Sequence, residues 1–94
     1  MSYKKVDLNH VAIVEAFRSH AGVSVFSTAK LGNGVPDLIL GVDGLTIPVE
    51  VKVGKKKLNA LQVSWHRKWT GTPVVIIRSD KEAHQLIGKL RNYR

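Results

Sequence analysis

Two carboxylates and a lysine are the residues in this chain best able to do chemistry together. Asp37 follows Pro36, and Glu50 and Lys52 stand two residues apart a little further on. Two carboxylates held close repel each other, so protonation, a cation or the lysine must neutralise them. A hard divalent ion such as Mg2+ suits that oxygen set. A lysine beside it can hold or deprotonate an attacking water. The plainer alternative is the solvent face of a half-buried hairpin carrying an ordinary Glu-x-Lys salt bridge.

Whether the three side chains meet depends on the element that carries them. Val35 to Val53 reads as a β-hairpin, because two apolar, β-branched runs flank Asp43-Gly44, a two-residue type I′ turn signal. Facing Val42 with Leu45 pairs Gly41 with Thr46, Ile39 with Pro48 and Asp37 with Glu50. The two-residue period puts Leu38, Leu40, Val42, Leu45, Ile47, Val49, Val51 and Val53 on one apolar face. Asp37, Ile39, Gly41, Thr46, Pro48, Glu50 and Lys52 take the other. Pro48 lacks the N–H a central strand uses, so the third strand either has no second neighbour there or bulges.

The chain has 94 residues and a formal net charge of +8. That length predicts one domain spanning 1–94 with a modest core, which a dimer would reinforce. The charge points to a polyanionic partner, with nucleic acid as the default. No apolar run approaches the ~18 residues of a membrane span, and no helix sets a basic face against a bulky apolar one. The N-terminus lacks the apolar core of a signal peptide. With no cysteine, disulfides and thiolate zinc sites are excluded. The expected location is the cytosol of a cell or an infected host, with no membrane and no organic cofactor involved.

Around the hairpin, a first helix is expected from about Asp7 to His20, capped by Asp7 or Asn9 and ended by Gly22. Leu8, Val11 and Ala12 form its apolar stripe and Glu15 falls on the same stripe, either as an edge residue pairing with Arg18 or Ser19 or as a carboxylate aimed at the hairpin. Val23 to Thr28 alternates like a strand. The loop from Ala29 to Val35 holds Lys30 and Gly32-x-Gly34, which is either simply flexible or follows a substrate backbone. Lys55, Lys56 and Lys57 follow the hairpin as a basic turn, either solvated or in contact with phosphate.

A second helix runs from Asn59 to Thr70. Asn59 and Gln62 can form a capping box, and Gln62 can also reach the site. Leu58, Leu61, Trp65 and Trp69 are its expected buried stripe, with the tryptophans in the core rather than stacking on bases. Pro73 to Arg78 reads as a buried strand, joined to Val49–Val53 by a right-handed parallel crossover. Ser79-x-x-Glu82 opens a last helix on Ala83, Leu86, Ile87 and Leu90, and Lys89, Arg91 and Arg94 make its end basic. His10, His20, His66 and His84 have no metal-ligand spacing and read as structural or surface residues. His66, one turn beyond Gln62, also joins the DNA-contact candidates. No Ser-His-Asp or Cys-His arrangement is supported.

The element order is therefore helix, three strands, helix, strand, helix. On that order Pro36-Asp37 followed by Glu50-Val51-Lys52 resembles the PD-(D/E)xK nuclease signature. Glu15 ahead of it, and Leu58-Asn59-x-x-Gln62-x-x-Trp65 after it, resemble the VRR-NUC group, the virus-type replication-repair nuclease domain often encoded alone by phages. That group is similar in core fold to the archaeal Holliday junction resolvases. The resemblance covers nearly the whole chain, and Pro48 is its main departure.

The resemblance implies an α/β, restriction-endonuclease-like core with a mixed four-stranded sheet flanked by helices. It implies that Asp37, Glu50 and the backbone carbonyl of Val51 bind Mg2+ or Mn2+, with Glu15 binding or steering a metal. Lys52 would orient or activate the attacking water, and Gln62 would position a phosphate or Lys52. The implied activity is metal-dependent DNA endonuclease action on branched DNA such as a Holliday junction, by a homodimer. Lys30, Lys55, Lys56, Lys57 and His66 are the expected DNA contacts. The alternative is a non-catalytic basic DNA-binding module or a subunit of a larger replication-repair assembly.

Overall fold

A computed structural model of the chain describes residues 5–92. The fold is α/β, built on a mixed four-stranded sheet. Helix α1 (Lys5–Arg18) leads into strand β1 (Val23–Ser27), a single 3-10 turn (Ala29–Leu31), and the hairpin of β2 (Leu38–Val42) and β3 (Leu45–Val51). Helix α2 (Ala60–Lys68), strand β4 (Val75–Ile77) and helix α3 (Asp80–Asn92) complete it. Arg94 lies outside the described residues. Among the described residues no helix is long and apolar enough to cross a membrane.

The turn sets the hairpin register. Asp43 and Gly44 both take positive φ, 51° and 85°, as a type I′ turn requires. Val42 pairs Leu45, Gly41 pairs Thr46 and Ile39 pairs Pro48, as expected. The sheet order is β1-β2-β3-β4, antiparallel up to β3 and parallel between β3 and β4. The β3–β4 ladder begins at Val49 opposite Val75. Pro48 therefore has no β4 partner, and its missing N–H leaves no gap in the ladder.

One sheet face carries the core. Leu38, Leu40, Val42, Ile47 and Val49 pack with Ile77 against Ile13, Ala16 and Phe17 of α1 and Ala83 and Ile87 of α3. Leu45, grouped with that face by its spacing, is exposed. The buried stripe of α1 is also not the expected one: Ile13, Ala16 and Phe17 are inside, while Leu8 and Val11 are exposed. Phe17 and Ile13 offer more apolar area to the sheet than Leu8 and Ala12, and the helix rolls toward the larger gain. Asp7 and Asn9 fall within the helix rather than at its cap, and Asn9 reaches the Arg78 carbonyl. Gly22, at φ 76°, sits in the turn that follows.

The other sheet face is covered only in part. Pro48, Glu50 and Lys52 are buried, but Thr46 is exposed. Helix α2 is short and buries no residue at all, which corrects its expected core stripe. Leu61 and Trp69 are exposed, and Trp65 and Trp69 stack on each other with centroids 5.0 Å apart. Strand β4 is likewise a three-residue edge strand with Ile76 exposed rather than a buried central one. The capping of α3 is half as expected: Ser79 accepts from the Glu82 N–H, but the Glu82 carboxylate accepts from the Arg78 N–H instead of the cap residue.

Candidate active site

Asp37 reaches β3 by replacing a ladder bond. Continuing the β2–β3 pairing would set the Val51 N–H against the Pro36 carbonyl. That carbonyl accepts instead from the buried Thr28 hydroxyl, at 2.5 Å. Pro36 in turn has no N–H to return. The Val51 N–H donates to Asp37 Oδ2 instead, at 2.8 Å. The residue before Leu38 thus turns its carboxylate along the strand end toward Glu50, while its own carbonyl accepts from the Thr28 N–H.

Glu50 sits on the second sheet face, 1% exposed. Gln62 on α2 touches it: its Nε2 donates to Glu50 Oε2 at 3.3 Å. The same Gln62 side chain accepts from the Asn59 N–H, and Asn59 Oδ1 accepts from the Gln62 N–H, both at 2.9 Å. Gln62 therefore closes the capping box and reaches the site at once. Gly34 lets α2 sit this close. A Cβ there would lie 2.2 Å from the Leu61 carbonyl oxygen, and the residue holds φ +85°. The Gly32-x-Gly34 pair thus has a packing reason at its second glycine.

Asp37, Glu50, Val51, Lys52 and Gln62 line one cleft of about 190 Å3, together with His10, Val53 and Lys56. The Glu50 pKa is raised to about 8 from an ordinary 4.5, first by burial, then by the Asp37 carboxylate beside it, with Lys52 opposing. Among the described residues the carboxylate contacts of ion-pair type are His66 with Glu50 and Arg91 with Asp43, so Lys52 is not closed onto either acid. His66 has its pKa lowered by burial and by the Lys52 charge. Its 3.8 Å contact with Glu50 is therefore between a neutral ring and a carboxyl that holds its proton at neutral pH. Glu50 Oε1 and His66 Nε2 are both buried without a hydrogen-bond partner.

A divalent cation fits the donors of this cleft. Two carboxylates and a strand-end carbonyl are hard oxygen ligands, and one carboxylate oxygen is buried and unsatisfied. Among the described residues no group of three or more His, Cys, Asp or Glu side chains is drawn tightly enough to enclose a metal.

The remaining candidates separate. Glu15 is exposed and is not among the cleft-lining residues. His10 lines the cleft, and five residues along a helix is ~140° around its axis, which turns Glu15 well away from His10. Lys56 borders the cleft, whereas Lys30, Lys55 and Lys57 are exposed outside it. Two residues escaped the sequence reading. His10 extends the Ile13, Val14, Phe17 stripe by one turn, a pattern visible once that stripe is chosen. Arg78 donates to the carbonyls of Gly54 and Lys56, both at 2.8 Å, and so pins the basic turn to the end of β4. No local signal marks Arg78, since its partners lie more than twenty residues away in sequence.

No protein-family model matches this sequence, and no curated protein matches it at a significant level.

Proposed function

We propose that the chain is a metal-dependent endonuclease that hydrolyses phosphodiester bonds in DNA, with the restriction-endonuclease-like fold of the PD-(D/E)xK group. The observation that carries this reading is the pairing of Asp37 and Glu50 in one cleft with Lys52, where Glu50 Oε1 is buried and unpartnered. A bound Mg2+ or Mn2+ would polarise the scissile phosphate and make a water more acidic. Asp37, Glu50 and the Val51 carbonyl would hold it. Lys52 would orient the attacking water and offset charge on the phosphate oxygens as the P–O bond to the leaving sugar breaks. Gln62 keeps the Glu50 carboxylate turned toward the cleft, and Lys56 at the rim supplies a phosphate contact.

The +8 charge supports a DNA substrate bound mainly through phosphates. A branched substrate and a homodimer in a cytosolic setting remain part of the proposal, the two sites cutting two strands. A stable monomer by sedimentation that still cuts both strands would remove the dimer.

The test is cleavage of a four-way junction and its matching linear duplex with Mg2+, Mn2+ or EDTA, wild type beside Glu50→Ala. The expected result is paired nicks in the junction that need both the metal and Glu50. A second reading, a basic DNA-binding module without catalysis, is favoured by the position of Glu15 away from the cleft. It requires DNA binding with no cutting in either metal, and a Glu50→Ala variant that functions as wild type.

A further inference from the structure

Both tryptophans of the chain stand toward the C-terminal end of α2, outside the core. Trp65 and Trp69 are one helical turn apart, and their rings stack with centroids 5.0 Å apart and 17° between the planes. The Trp69 indole N–H donates to the Thr72 carbonyl at 2.7 Å. Gly71 lies so close that a Cβ there would come 2.7 Å from the ring. The turn after the helix thus holds Trp69 in place, yet the residue stays 42% exposed. With its N–H already bonded, the indole offers a partner only its π surface. Trp65, Lys68 and Trp69 line an open hollow of about 330 Å3, within the ~300–1,000 Å3 range of small-ligand sites. Helix α2 has no acidic residue, and Arg67 and Lys68 are exposed in its last turn. A flat ring that carries negative charge with it complements this surface, and a nucleotide is such a group.

We propose that Trp65 and Trp69 form a stacking platform for an unpaired nucleobase of a DNA strand, with Arg67 and Lys68 on the flanking phosphates. The proposal rests on the reading of DNA as the partner and does not need the strand to be cut. Every base has a π face, so such a platform accepts any sequence while cations track the backbone. Bases inside a duplex are already stacked on both sides. The platform therefore selects strands with unpaired nucleotides, such as those beside a branch point. Gln62, which lines the cleft, precedes Trp65 by nearly one turn, ~4.5 Å of helix rise, and the two are neighbours on the helix surface. One nucleotide advances ~3.4 Å along a stacked strand. A strand with a phosphate in the cleft thus has its next nucleotides within reach of the platform.

The experiment follows tryptophan emission in EDTA as a short oligo-dT strand, a matching strand with abasic sites throughout, or a blunt duplex of equal length is added. Both tryptophans sit in the platform, so the whole emission reports on it. Oligo-dT should quench it, whereas the abasic strand and the duplex should bind by charge and leave it nearly unchanged. By anisotropy of labelled DNA, Trp69→Ala should lower oligo-dT affinity on the order of tenfold, the scale of one lost base stack. Duplex affinity should fall much less, and Trp69→Phe should restore most of the loss. Equal binding of the oligo-dT and abasic strands with no quenching would overturn the platform while leaving DNA binding standing. Binding of none of the three would overturn both the platform and the DNA reading. Emission that shifts with protein concentration alone, with a rise in mass by sedimentation that Trp69→Ala abolishes, would overturn it in favour of a second copy of the chain on this surface. If Trp69→Ala does not fold, quenching of wild type by oligo-dT against the abasic strand decides the matter.

Discussion

Replacing Glu50 by glutamine should stabilise the metal-free protein, and only above mildly acidic pH. The folded carboxyl holds its proton up to about pH 8, whereas an ordinary glutamate gives it up near 4.5. Between those values the unfolded chain releases a proton that the folded chain keeps, so wild-type stability falls as pH rises and levels off above 8. At ~1.36 kcal/mol per pH unit, the span from 4.5 to about 8 sets a ceiling of about 5 kcal/mol. The cleft admits water, which screens part of that penalty, so about 2 kcal/mol is the expected size. Glutamine keeps the shape and cannot ionise. Urea unfolding followed by circular dichroism in EDTA at pH 5, 7 and 9 reads the difference directly. The two proteins should differ little at pH 5, and Glu50→Gln should be more stable by about 2 kcal/mol at pH 9. Added Mn2+ should stabilise wild type far more than the variant. Curves that stay parallel from pH 5 to 9 would show that Glu50 is not desolvated, and the argument for a cation from its burial would fail with them.

Other perturbations reach the walls of the cleft. Gly34→Ala should cost ~1–2 kcal/mol for its left-handed backbone and more for the clash with Leu61, with loss of α2 helicity by circular dichroism. Asn59→Ala removes the half of the capping box made by the Asn59 side chain and should cost ~1 kcal/mol by urea unfolding, with DNA cleavage in the folded protein little changed because the residue-59 N–H still holds the Gln62 side chain. Neutralising Lys55, Lys56 and Lys57 to glutamine should shallow the salt dependence of DNA binding by roughly one counterion per lost phosphate contact; an unchanged slope would leave the turn as solvated surface. Lys52→Ala should abolish cutting while calorimetry still detects metal binding, and unchanged cutting rates would remove Lys52 from the mechanism.

What the sequence revealed was local. The Asp43-Gly44 turn carries its own backbone requirement, and the register of the whole hairpin follows from it by counting. The Asn59–Gln62 box is likewise written in four residues. The parallel return to β4 followed from the order of elements. The largest failures were choices among faces. On α1 two overlapping stripes hold apolar residues, and only the sheet decides that Ile13 and Phe17 go in while Leu8 and Val11 stay out. That choice carried Glu15 outward and His10 inward. On α2 hydrophobicity favoured the tryptophans for the core, but the sheet surface beneath is already the acidic cleft, and polar residues must face it. The substitution of the Asp37 carboxylate for the Pro36 carbonyl needed Thr28 as well, and no spacing rule joins those three.

A helix without a single buried residue is held by its latches. Among the contacts fastening α2 to the rest of the fold are the seat against Gly34 and the Gln62–Glu50 bond. Such a segment exchanges its amide hydrogens by a small local opening, while β2 and β3 wait for the whole domain to unfold. The wall that carries Gln62 and His66 is therefore expected to open locally before the core unfolds, which amide exchange would read. A ligand that binds against α2 should slow that local opening, so the protection of the α2 amides would gauge how full the cleft is.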